Sequence, residues 1–304
     1  MVVPVICTLM PGEITAELFL DARATLGEGA LWDSKRHLLY WVDIIEKKLF
    51  DFDPSTKKNR AIDVGQFVGT VVPRKRGGVM LALHHGFCAL DLETEKLTPI
   101  ADPEKDLPDN RFNDGKCDPA GRFWAGTMSL VGKNNAGALY RLDPDLTVHR
   151  MLDGATTSNG IVWSLDSKTM YYIDTPTRRV DAFDYDIETG DIKKRRPAIS
   201  IPESGGNPDG MTIDAEGMLW VAHWGGGRVT RWNPRDGKPL QTVRVPVSRT
   251  TSCAFGGEKL DQLFITTAQI GRFSQTPLPD EPHAGGVFVA EVGTRGVPAF
   301  EFAG

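Results

Sequence analysis

The sequence predicts an all-β fold, a six-bladed β-propeller, on three observations. The chain repeats a short pattern of strands six times, with starts at Gly29, Gly69, Gly115, Gly160, Gly210 and Cys253. Repeats of about 40–50 residues with several strands each have the length of propeller blades. Glycine is over-represented, 32 of 304 residues, as many tight turns require. No segment carries a sustained 3.6-residue apolar period with capping residues, so no long helix is expected.

Each unit reads as strand, tight turn, strand, turn, strand. In the first, Leu38-Leu39-Tyr40-Trp41-Val42 is a near-continuous apolar run, which fits a strand buried on both faces. The third contains Asp118-Pro119-Ala120-Gly121, turn chemistry with glycine where a positive φ is needed. The fourth has the buried-type run Met170-Tyr171-Tyr172-Ile173 and then the alternating Val180-Asp181-Ala182-Phe183-Asp184-Tyr185. The fifth repeats the turn as Asp214-Ala215-Glu216-Gly217, followed by Met218-Leu219-Trp220-Val221. Segments 14–20 and 297–302 remain as strands without partners at the two ends. An N-terminal strand pairing into the last blade would close the ring and hide two sheet edges. The whole chain, 1–304, is expected to be one propeller domain, with residues 1–12 a loose N-terminal extension.

Composition narrows the function classes. The chain is 40% hydrophobic and 25% charged, which excludes a disordered polypeptide. No window approaches the roughly 18 apolar residues of a membrane-spanning helix. The net charge of −5 argues against a nucleic-acid partner. The one dense basic run, Lys193-Lys194-Arg195-Arg196, is expected to be a solvated hairpin. Cys7, Cys88, Cys117 and Cys253 have spacings that fit no zinc cluster and are expected to be buried free thiols. The apolar opening MVVPVICTLM has no basic residue ahead of it and makes a poor signal peptide. A cytoplasmic monomer with no membrane partner is the expectation.

Propellers place the start of every innermost strand around one mouth of the central channel. The residue before each unit's opening position should therefore point at a shared axial site. Those residues are Glu28, Val68, Asp114, Asn159, Asp209 and Ser252. Three carboxylates and an amide from four blades would repel one another unless a cation lay between them. Taken singly, Asp or Asn before glycine is an ordinary turn residue; the common register is what points to a site. Oxygen donors favour a hard divalent ion such as Ca²⁺, Mg²⁺ or Mn²⁺, with Zn²⁺ still open.

Other chemistries find less support. None of the six histidines, His37, His84, His85, His149, His223 and His283, occupies an opening position. His84 and His85, being adjacent, are expected to face opposite sides of a strand. His223, beside Trp224, is the histidine best placed to matter. No G-x-S-x-G nucleophile elbow exists, and Gly225-Gly226-Gly227 lacks the Lys-Ser/Thr of a phosphate loop.

Several segments together, 111–128 (RFNDGKCDPAGRFWAGTM), 158–166 (SNGIVWSLD), 180–190 (VDAFDYDIETG), 207–222 (NPDGMTIDAEGMLWVA) and 250–257 (TTSCAFGG), resemble the gluconolactonase and regucalcin (senescence marker protein) family of sugar lactonases. The likeness runs from about Leu26 to Gly304 in register. It implies a six-bladed propeller, one divalent metal ion and hydrolysis of a sugar aldonolactone to its aldonic acid. By the family's motifs, Glu28 (E-G-x-x-W), Asn159 (S-N-G) and Asp209 (P-D-G-M) would be the metal ligands. Arg111 and Asn113 (R-F-N-D-G) would face substrate, with Asp114 lining the same mouth. Lys133 stands where close animal relatives carry a sugar-contacting Glu, which changes the substrate groups that are welcome; Asn134 or Asn135 would then supply hydroxyl contacts.

The resemblance and the opening positions imply one mechanism. The ion polarises the lactone carbonyl, and Asp209, with Asp114 as second candidate, takes a proton from the attacking water. A metal-dependent esterase or phosphotriesterase would use the same mouth, and a non-catalytic calcium-binding propeller would use the same ligands without turnover.

Overall fold

The computed structural model describes residues 13–270 and 280–304; the expected extension 1–12, with Cys7, lies outside the described residues. Six sheets follow one another along the chain. Their innermost strands are Gly27–Asp33, Val68–Pro73, Asn110–Cys117, Ser158–Trp163, Asn207–Ile213 and Thr250–Gly256. Each packs against the innermost strand of the next blade, and the sixth packs against the first. This is the six-bladed propeller expected from the repeats. The described residues include two short 3-10 turns and no α-helix, and no helix is long and apolar enough to cross a membrane.

Five of the blades have four strands and the fifth has five, where the repeat pattern indicates three. The first runs outward through Gly27–Asp33, Leu38–Asp43, Lys48–Asp53 and Lys58–Asp63. Innermost strands are buried on both faces, whereas outermost strands such as Lys58–Asp63 are mostly exposed and polar. An outer strand covered on one face alone has no need of the apolar run that marks the others. The basic run lies on such a strand, Ile192–Ser200, rather than in a hairpin. Arg195 pairs with Asp181 at 2.7 Å, and Lys194 and Arg196 with Asp184 at 3.0 and 2.8 Å. Charged edges of this kind oppose the addition of a further strand.

Both chain ends differ in detail from the expected pair of strands. Segment 14–20 is divided at Ala16. Glu13–Thr15 adds to the fifth blade, parallel to Lys238–Arg244. Glu17–Leu20 forms the outer strand of the sixth, antiparallel to Val287–Glu291. Segment 297–302 is not a strand. It is a strap fixed at its two ends: Gly296 donates to Leu260 O at 2.8 Å and Phe302 to Pro73 O at 2.8 Å. Between them Val297, Pro298, Ala299 and Phe300 lie across the ends of the innermost strands, lining a cavity of about 380 Å³ with Leu31, Ile213 and Phe255. The ends of the strap make only isolated bridges, Gly296 with Asp214 and Phe302 with Arg74.

Apolar burial occurs between blades. One cluster joins Trp124 of the third blade to Ile161, Trp163 and Tyr172 of the fourth. Another joins Trp32, Trp41 and Phe52 of the first to Phe264 and Val287 of the sixth. There Phe19 meets Phe52 and Phe264 edge-on at 4.9 and 5.0 Å, and Trp32 stacks on Phe264 at 6.0 Å. Ring closure thus rests on aromatic contacts that include the N-terminal segment.

Two turn aspartates act as internal anchors. Asp118 Oδ1 accepts the N–H groups of Ala120 and Arg122, while Oδ2 accepts Trp124 Nε1 at 2.9 Å and Tyr185 OH at 2.8 Å. Asp214 repeats this with Glu216, Met218, Trp220 Nε1 at 2.9 Å and Arg231 Nε at 2.7 Å. Gly121 and Gly217 take the positive φ that their turns require, 83° and 79°. His84 and His85 depart from expectation: they form the turn between Val79–Leu83 and Gly86–Leu90, and their rings stack at 4.2 Å. A hairpin turn does not alternate side chains as a strand does.

Phe264→Ala, at the closing interface, should lower unfolding stability by about 3–5 kcal/mol. Leu240→Ala, at an exposed site, should change it by about 0.5 kcal/mol or less. Urea midpoints of the two variants test the contrast.

Candidate functional site

The six innermost strands begin with the same irregularity. Ladder register shifts between Glu28 and Leu31, Val68 and Thr70, Phe112 and Gly115, Ser158 and Ile161, Pro208 and Met211, and Thr250 and Ser252. A bulge bends the strand and re-aims a side chain, and here it falls at the opening position of every blade. Glycine follows in five of them: at Gly69, Gly115, Gly160 and Gly210 neighbouring backbone comes too close for a side chain, and Gly29 takes a positive φ of 61°. A Cβ on Gly69 would stand 2.3 Å from Asn113 O, and one on Gly160 would stand 2.7 Å from Asp209 O.

This arrangement brings Glu28, Asn159, Asp209, Arg111 and Asn113 to one cavity of about 440 Å³. All five are buried. Asp114 is also buried, but it does not line that cavity; its Oδ1 accepts the Gly115 N–H at 2.7 Å and its Oδ2 has no hydrogen-bond partner. Lys133 is not part of the site either. It is exposed, as are Asn134 and Asn135, and the Asn135 backbone is held outside by its N–H bond to Thr156 Oγ1 at 3.0 Å. Val68 and Ser252 hold opening positions but bring no charge.

Hydrogen bonds run through the site from blade to blade. Arg111 Nη1 donates to Phe112 O and Asn113 Oδ1, both at 2.8 Å. Asn113 Nδ2 donates to Ser158 O at 2.8 Å. Asn159 Nδ2 donates to Thr175 Oγ1 at 3.0 Å, and that hydroxyl donates to Pro208 O at 2.9 Å. Thr175 therefore fixes the Asn159 amide with its nitrogen spent, leaving Oδ1 a buried acceptor without a hydrogen-bond partner.

The electrostatics of the site are set by burial and by like charge. Burial holds the Glu28 carboxyl well above its ordinary range, and the carboxylates of Asp209 and Asp114 push it further. The Gly29 N–H and Arg111 oppose the shift without cancelling it. Burial also raises Asp114, against the pull of Lys116. Among the described residues no three His, Cys, Asp or Glu side chains are placed to hold a metal ion. The donors here are two carboxylates and an amide oxygen, from Glu28, Asp209 and Asn159. All-oxygen donors with one oriented neutral member fit a hard divalent cation.

His223 takes no part. It is buried against Trp232, outside the cavity, and burial lowers its pKa to about 3. Cys88, Cys117 and Cys253 are free and buried. The cavity also contains Thr175, Asn207, Trp224 and Arg249, which sequence reasoning missed. Asn207 and Arg249 precede the opening residues Asp209 and Ser252 by two and three positions. Extending the register argument upstream would have found both.

Comparison with known proteins shows relatives along almost the whole chain. A family model described as SMP-30/gluconolactonase/LRE-like region matches residues 26–269. Regucalcin of Xenopus laevis is 43% identical over 297 residues, covering 96% of this chain and 99% of that protein. YvrE of Bacillus subtilis (strain 168), provisionally named a sugar lactone lactonase, is 42% identical over 95% of this chain and 99% of its own. A solved structure described as a calcium-binding protein, regucalcin, from Agrobacterium tumefaciens str. C58 superposes with a TM-score of 0.88 at 27% identity, covering 95% and 98% of the two chains.

An acid whose folded pKa is raised destabilises the fold as pH climbs from the unfolded value through the folded one. In chelator, Glu28→Gln should therefore melt higher than the parent at pH 8. The gap should narrow as pH falls toward about 4.5 and close below it, where Glu28 is protonated in the unfolded state as well. Calorimetric melting across that range measures it.

Proposed function

The chain belongs to the SMP-30/gluconolactonase/LRE-like family, and from that premise we propose that it is a divalent-metal-dependent lactonase. It opens a five- or six-carbon sugar aldonolactone to the aldonic acid. The observation that carries this reading is the shared cavity in which Glu28, Asp209 and the acceptor oxygen of Asn159 meet Arg111 and Asn113. An ion alone would not require the last two.

Glu28, Asn159 and Asp209 would hold one ion, Ca²⁺, Zn²⁺, Mn²⁺ or Mg²⁺. When bound, the ion supplies Lewis-acid stabilisation of the negative charge that develops on the lactone carbonyl oxygen. Asp209 takes a proton from the attacking water as the new C–O bond forms. The ring C–O bond then breaks, and the leaving oxygen recovers that proton as a hydroxyl. Asp114, outside the cavity, is the less suitable base. Asn113 holds one fork of Arg111 against the third blade, which presents the guanidinium to ring hydroxyls and orients the sugar. Neutral Asn159 adds an oxygen donor without further cancelling the ion's charge. The buried free thiols Cys88, Cys117 and Cys253 fit a reducing, cytoplasmic setting, and the size of the cavity fits a free small molecule.

Asp209→Ala should lower aldonolactone turnover by roughly 100-fold or more while leaving a folded protein. Acid release in a pH-indicator assay, on chelated protein with each divalent ion restored in turn, checks both the residue and the ion. Undiminished hydrolysis by the folded variant would falsify the assignment. Thr175→Val removes the hydroxyl that turns the Asn159 amide. It should weaken divalent-ion affinity by roughly 10- to 100-fold in a calorimetric titration.

A further inference from the structure

The mouth holds a second guanidinium that the mechanism above does not use. Arg249 lines the cavity together with Glu28, Arg111 and Asp209. It sits at the end of a lateral row: Asn207 pairs with Trp224 across the fifth blade, and Trp224 bridges to Arg249 at the start of the sixth. The Arg249 side chain is held on two sides. Its Nη1 donates to Gln269 O at 2.5 Å, and its guanidinium lies over the Trp224 ring at 5.9 Å. Its own carbonyl accepts the Ala268 N–H at 3.0 Å. Among the described residues no carboxylate pairs with it.

At the far end of the row, Asn207 Oδ1 accepts Arg178 Nη1 at 2.6 Å. The Asn207 amide therefore presents its nitrogen, a donor, on the free side. Neighbouring strands stand about 4.8 Å apart, so Asn207 and Arg249 are separated by about 10 Å along the rim. Both offer donors, and the rim between them carries no acid.

Charge decides what such a rim accepts. The cavity's acids are Glu28 and Asp209, and a divalent ion held by them offsets both. Arg111 and Arg249 then leave the mouth net positive. A guanidinium is a planar fork matched to carboxylate and phosphate oxygens. We infer that Arg249 is a specificity-determining residue, and that the preferred substrate is a sugar lactone carrying an anionic group, carboxylate or phosphate, remote from its carbonyl. This rests on the lactonase reading for the reacting ring and on the rim's charge for the anionic group.

Binding and turnover test it separately. Methyl glucoside, methyl glucuronide and methyl glucoside 6-phosphate contain no lactone and serve as neutral, carboxylate and phosphate probes. Calorimetry on the protein supplied with divalent ion should show one anionic probe bound roughly 10- to 100-fold more tightly than the neutral one. Arg249→Gln should collapse that ratio to near one, and Arg249→Lys should keep part of it. Whichever anionic probe is favoured names the group. In turnover, the ratio of kcat/KM for the matching acidic lactone over gluconolactone should fall by the same factor in Arg249→Gln. Equal binding of all three probes to the parent, or an unchanged ratio in Arg249→Gln, overturns the inference. Loss of the ratio in binding, with no lactone hydrolysed by the parent under any ion, upholds the anionic subsite while removing the lactonase reading.

Discussion

Everything in this molecule depends on how closely six innermost strands pass one another around a common axis. Backbone contact between neighbours, as at Gly69 against Asn113 O, leaves no room for a side chain after the opening residue in four of the six blades. The bulge that accompanies it turns the opening side chain out of the sheet plane. A constraint of packing thus becomes a constraint of chemistry, since whatever stands at those positions faces the axis. Here two carboxylates are brought together in a buried cavity, where burial first, and then the charges of Asp209 and Asp114, hold Glu28 well above its ordinary range, a cost that a divalent cation would offset.

The hydrogen bonds behind the site are as determined as the site. Thr175 can donate in one direction because it accepts in the other, and the Asn159 amide follows from that. Arg111 is similarly set by Asn113, which is itself fixed on the backbone of the next blade. These bonds cross between the third, fourth and fifth blades. Slippage between blades would therefore disturb the site, which makes the aromatic and aliphatic clusters between blades part of its support.

The ring and its register were legible because inner strands are buried on both faces and repeat a glycine at a steric bottleneck. Glu28, Asn159 and Asp209 could be picked out by that register, and the structure gathers them in one cavity. The fourth strands escaped notice because a solvated outer strand such as Ile192–Ser200 needs no apolar pattern. Lys133 was misplaced because position relative to a motif says nothing about whether a loop folds inward; a backbone bond at Asn135 keeps this one outside. Arg249 and Trp224 escaped because they belong to the rim above the opening residues, where no periodicity marks them. His84 and His85 were read as strand residues because a two-residue hairpin turn leaves no trace in an otherwise apolar run.

The strap formed by Val297, Pro298, Ala299 and Phe300 bears on traffic through the ring. It covers the end of the axis opposite Glu28, tied to Leu260 O on one side and Pro73 O on the other. On the proposed reaction, the opened, negatively charged acid would leave past Arg249 through the mouth that admitted the lactone. Departure and arrival would then share one passage, and a guanidinium that attracts one anion would also delay another.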